Sequence, residues 1–139
     1  MTNDNNIYNA PDTLPLHQAI LNKNTKLAQY LISSGADVHA KDKNGETPLH
    51  QAVQFDEFEI IKLLVAEGAD ANAKNEDGCT TLHFAGKFSQ NVEIVHLLVS
   101  NGADANAKDI HGATPLDYAK TLATVKANTA VVQYLSNIK

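Results

Sequence analysis

Apolar residues along this chain fall into helical-period bursts that return at a nearly fixed step. Leu27/Ala28 with Tyr30/Leu31, Ile60/Ile61 with Leu63/Leu64, Ile94/Val95 with Leu97/Leu98 and Val131/Val132 with Tyr134/Leu135 each place two apolar pairs on one side of a helix. Each burst follows a shorter mixed segment. These begin at Leu14-Pro15-Leu16-His17, Thr47-Pro48-Leu49-His50, Thr80-Thr81-Leu82-His83 and Thr114-Pro115-Leu116-Asp117, 33 or 34 residues apart. In the second unit Thr47 is suited to cap a helix whose first residue is Pro48. Phe55-Asp56-Glu57 interrupts that helix, and Phe58, Ile60, Ile61, Leu63 and Leu64 carry a second one up to Gly68, which suits a left-handed helix end. Asn75-Glu76-Asp77-Gly78 then reads as a tight turn within an extended or hairpin loop. The predicted unit is helix, turn, helix, hairpin loop.

An apolar stripe this wide cannot be covered by one partner helix, so a single unit of about 33 residues cannot bury its own faces. Four units must pack on one another in a row, each against its neighbours, and not around one central core.

Asp42-x-x-Gly45-x-Thr47-Pro48-Leu49-His50-x-Ala52, followed by Gly68-Ala69-Asp70-x-Asn72-Ala73, resembles the ankyrin repeat, and the resemblance covers nearly the whole chain. It implies an all-α ankyrin-repeat solenoid occupying residues 1–139, with repeats at approximately 9–41, 42–74, 75–108 and 109–139. It further implies that His17, His50 and His83 hydrogen-bond near their helix starts, and that Asn72 and Asn106 brace the hairpins. In some eukaryotic proteins of this resemblance that Asn is also an oxygenase substrate, and His39 holds the same position here.

The departures from the pattern carry their own expectations. Asp12 and Leu14 replace the usual Gly and Thr, so the first hairpin is expected to be malformed, as suits a terminal capping unit. One residue is added between Ala85 and Gly102, predicting a longer or bulged link near Gly86 to Val92. Four are added between Ala119 and Val131 relative to Ala52 and Ile60, about one helical turn. Lys126, Asn128, Gln133 and Ser136 are placed to face water as a C-terminal cap.

Composition narrows the function. The 139 residues carry a formal charge of −5 and contain no Arg, which argues against nucleic acid. The longest apolar stretches, Ile60 to Ala66 and Ile94 to Val99, are broken by Lys62 and His96 and fall short of a membrane span. The Asn-rich start, Met1 to Tyr8, lacks the basic-then-apolar order of a secretory signal. A cytoplasmic site is expected, with export into a host cell as the alternative for a host-associated microbe. One cysteine, Cys79, allows no internal disulfide.

Candidate chemistry is sparse. A metal ladder of His17, His50 and His83 fails on distance, because stacked helices sit about 8–10 Å apart and zinc ligands lie about 2 Å from the ion. Glu93 with His96 supplies two ligands where zinc needs three or four. Cys79-x-x-x-His83 lacks a third group to orient a base, so Cys79 reads as a surface thiol open to oxidation. No phosphate loop, nucleophile elbow or His-Glu-x-x-His motif is present. No catalytic residue, metal or cofactor is therefore expected.

Function is expected at non-repeating positions of the hairpin tips and first helices, which line a concave face in proteins of this resemblance. These are Lys43, Asn44, Glu46, Gln54 and Phe55; Glu76, Asp77, Cys79, Lys87 and Phe88; and Ile110, His111, Ala113, Thr121 and Leu122. Phe55, Phe88 and Leu122 form an exposed apolar strip, or else Phe55 and Phe88 fold under the inter-helix turn with Phe58 as core. The expected function is a monomeric, non-catalytic protein-binding module. The alternative is a regulator or inhibitor of a partner enzyme.

Overall fold

A computed structural model describes residues 14–89, 91–123 and 129–138. Within them lie eight α-helices: α1 Pro15–Leu21, α2 Thr25–Ser33, α3 Pro48–Gln54, α4 Phe58–Ala66, α5 Thr81–Phe88, α6 Val92–Ser100, α7 Pro115–Ala123 and α8 Thr129–Ser136. Each odd-numbered helix packs on the even-numbered helix that follows it. The odd helices also pack on one another in sequence, as do the even ones, giving two parallel rows. The fold is an all-α stack of helix pairs, and no strand occurs among the described residues.

The helix starts follow from local chemistry. Thr47 and Thr80 sit in extended conformation and accept the N–H of His50 and His83 on their hydroxyls. Pro15, Pro48 and Pro115 open α1, α3 and α7, where their missing N–H goes unused. Asn24 and Asn91 cap α2 and α6 through their side-chain oxygens. Leu14, standing where a cap belongs, offers no such acceptor to α1.

Paired apolar residues of the second helices supply much of the core. Ile60, Ile61, Leu64, Ile94, Val95 and Leu98 are fully buried, meeting Leu49, Val53 and Leu82 from the first helices. Tyr30 breaks the predicted stripe, pointing to water with 67% of its surface exposed. Between α5 and α7 the backbones approach closely at Gly86, where a Cβ would stand 2.6 Å from the Pro115 carbonyl oxygen. A small residue is required there, because the two nearest atoms, Pro115 O and Ala119 N, are backbone and cannot swing aside as a flexible side chain would.

The predicted hairpins are turns without strands. Their tips stack through the backbone: Glu76 donates to the Asn44 carbonyl and Ile110 to that of Asp77, each at 3.0 Å. Gly45 and Gly78 adopt left-handed φ of 77° and 76°, and a Cβ on Gly45 would lie 2.9 Å from Glu76 N. The extra residue of the third unit falls in a link whose Gln90 lies outside the described residues, and α5 shows where the added length goes. That helix runs to eight residues against seven in α3, and Ser89 then leaves it in extended conformation. In the fourth unit α7 runs to nine residues. The rest of that insertion, including Lys126 and Asn128, lies outside the described residues, as does Asp12.

Candidate functional site

The three repeated histidines tie the odd-numbered helices to the next loop. Thr47 N–H donates to His50 Nδ1 (3.1 Å), which fixes that nitrogen as an acceptor and leaves Nε2 to carry the proton. Nε2 then donates to the Cys79 carbonyl across to the next unit, at 2.9 Å. His83 repeats the arrangement with Thr80 and the Ala113 carbonyl (2.8 Å). His17 reaches the Glu46 carbonyl at 2.8 Å, but its Nδ1 is buried with no partner among the described residues, because Leu14 replaces the threonine. Burial lowers the pKa of all three rings, holding them neutral at pH 7.

Asn72 does for the loops what the histidines do for the helices. Its Nδ2 donates to the Gly102 carbonyl (2.8 Å) and its Oδ1 accepts from Asp104 N–H (2.7 Å). A groove of about 440 Å³ beside it is lined by Asn72, Lys74, Thr80, Asp104, Asn106 and Lys108. It has no aromatic or large apolar wall to anchor a ligand.

A smaller groove, of about 200 Å³, opens across the first helices and loops of the second to fourth units. Phe84, Phe88 and Tyr118 form its apolar side, and Glu46, Asp77 and Lys87 its charged side. Phe84 packs edge-on between His50 (5.0 Å) and Phe88 (5.5 Å), so the rings form a supported row. The Lys87 ammonium lies 5.2 Å from the Phe88 ring centre. Glu46 accepts from Gln51 Nε2 (3.1 Å) and Asn75 Nδ2 (3.5 Å), both neutral amides. Its carboxyl pKa is raised, first by burial and then by the nearby charges of Asp42 and Asp77.

Cys79 corrects the expectation of a surface thiol. It is 6% exposed, covered by Tyr118 of α7, whose hydroxyl stands 3.2 Å from Sγ. Burial pushes the thiol pKa up, away from the reactive thiolate. His83 cannot serve it as a base, since both ring nitrogens are committed elsewhere. The Tyr118 hydroxyl donates a short hydrogen bond to Asp109, which with the N–H groups of Ala113 and His111 holds that carboxyl down to about 2. Burial first, and then the contacts with Asp109 and Cys79, push the Tyr118 phenol upward.

The groove gathers Glu46, Gln54, Asp77, Cys79, Lys87 and Phe88 from the predicted set. Lys43, Asn44, Glu76, Ile110 and His111 remain at exposed loop tips, with Ile110 63% exposed. Phe55 and Phe88 stand in different settings. Phe55 caps α3, half-buried beside Lys23, whereas the longer α5 carries Phe88 as its last helical residue onto Phe84, 37% exposed. The Leu122 side chain lies outside the described residues. Phe84 and Tyr118 were missed as groove residues. The signal was present: both directly follow the repeated His or Asp position, where the earlier units have Gln18 and Gln51.

A family model of ankyrin repeats in three copies matches residues 16–109 and 67–138, nearly the whole described chain. The chain belongs to the ankyrin repeat family. Ankyrin repeats generally mediate protein–protein interaction and typically act as non-catalytic modules. No curated protein matches the sequence. No helix among the described residues is long and apolar enough to cross a membrane, and no three His, Cys, Asp or Glu side chains among them converge as a metal site.

Proposed function

We propose that this ankyrin repeat protein is a non-catalytic binding module that holds a protein partner against the first helices and loop tips of its second to fourth units. One observation carries this reading: residues far apart in sequence, Glu46, Asp77, Lys87 and Phe88, converge on one groove whose rings are already packed in place. Supported aromatic side chains beside charged groups are what an interface anchor needs, and a preformed surface loses little entropy on binding. Capture of partners from native lysate by the full chain tests it. Phe88→Ala with Asp77→Arg should abolish capture, whereas Lys62→Ala on the exposed side of α4 should leave it intact. Equal capture by both variants would defeat the proposal.

A further inference from the structure

We propose that the groove accepts the guanidinium of an arginine carried on an extended segment of the partner, resting on the reading above that this face binds protein. The groove's volume, about 200 Å³, is below the roughly 300 Å³ at which drug-sized cavities begin, so it suits one long side chain. Its two kinds of wall select a cation. Phe84, Phe88 and Tyr118 offer ring surface, and a cation already stands near one ring, since Lys87 lies 5.2 Å from the Phe88 centre.

Lys87 lines the same groove, yet neither carboxylate there is ion-paired among the described residues. Glu46 is hydrogen-bonded by amides alone, and the Asp77 carboxylate accepts no hydrogen bond from a described residue. Among the described residues the ion pair present is Lys62–Glu59, on another helix. Burial and the charges of Asp42 and Asp77 already oppose ionisation of Glu46, the condition an incoming cation would relieve.

Arginine fits better than lysine for a geometric reason. The planar, weakly hydrated guanidinium can lie on a ring while its fork of donors reaches two carboxylates, whereas an ammonium is a strongly hydrated point charge. Nucleic acid is disfavoured by the chain's charge of −5.

The test is a nuclear magnetic resonance titration of the full ¹⁵N-labelled chain with an acetylated, amidated Gly-Ser peptide carrying one central arginine. Saturable shifts should appear at the amides of Asp77, Phe84 and Phe88. Affinity should fall about tenfold when lysine replaces arginine or when Asp77→Asn removes the free carboxylate, and vanish with the neutral isostere citrulline. No saturable shift, equal binding of citrulline, or shifts confined to another surface would overturn the proposal. A partner captured through Phe88 yet indifferent to Asp77→Asn would overturn the arginine assignment and leave the protein-binding reading standing. A partner indifferent to the Phe88 and Asp77 double variant would remove both.

Discussion

His50 Nε2 stands 2.9 Å from the carbonyl oxygen of Cys79, 29 residues onward, so one imidazole closes its own helix start and fastens it to the next unit. The stack is therefore tied by directional bonds as well as by apolar packing. His50→Ala should lose about 3 kcal/mol or more in urea denaturation, because it leaves Thr47 N–H and the Cys79 carbonyl without their partner and opens a cavity. The exposed His111→Ala should change stability by less than about 0.5 kcal/mol.

The same burial makes stability depend on pH. His17, His50 and His83 have folded-state pKa values lowered from 6.5, so below that value the unfolded chain binds more protons than the folded one. Their contribution is complete above about pH 6.5 and is lost as pH falls, at no more than about 1.4 kcal/mol per pH unit for each histidine. Asp109, lowered to about 2, acts with the same sign but only under about pH 4, where its unfolded carboxyl starts to protonate. Melting temperatures should therefore fall between pH 7 and pH 5, and less steeply in His83→Asn; a flat profile over that range would contradict this account.

Leu14→Thr should stabilise the first unit. It supplies the hydroxyl and cap geometry that Thr47 and Thr80 provide elsewhere, and gives the unpartnered His17 Nδ1 a donor. A gain of about 1 kcal/mol in chemical denaturation is expected, the usual worth of a helix cap.

Gly86→Ala tests the contact between α5 and α7 by the sign of its effect. In an open helix the change would stabilise by about 1 kcal/mol. Here the new Cβ meets the Pro115 carbonyl oxygen at 2.6 Å, and a loss of about 1–3 kcal/mol is expected on thermal melting.

Phe84 and Phe88 should separate stability from binding. Phe84, buried against His50, should cost about 3 kcal/mol or more on truncation to Ala. Phe88→Ala, at the open edge, should cost less than about 1 kcal/mol while weakening the partner. A Phe88 loss near that of Phe84 would place the ring in the core.

Much of the fold was legible because its rules are local. Thr47 before Pro48, the paired apolar residues of the second helices and Gly68 at a helix end are each decided within a few residues, and the step of 33 or 34 residues repeats the result. The candidate site was legible in part. Register alone pointed to Glu46, Asp77, Lys87 and Phe88, since they stand at loop and first-helix positions that the scaffold leaves free.

Sequence by itself thus determined the unit, the number of helix pairs and the need to stack, and the resemblance it carries implied a hydrogen-bonded histidine at the second and third helix starts. Only the tertiary structure decided what each unit's neighbour covers. Tyr118 of the fourth unit buries Cys79 of the third, and the longer α5 carries Phe88 within the helix onto Phe84, whereas Phe55 stands at the helix end. Both outcomes depend on side chains more than 30 residues apart, or on how one added residue is absorbed. Neither is settled by the short-range preferences a sequence displays, because stacking energy between units chooses among arrangements that those preferences leave equal.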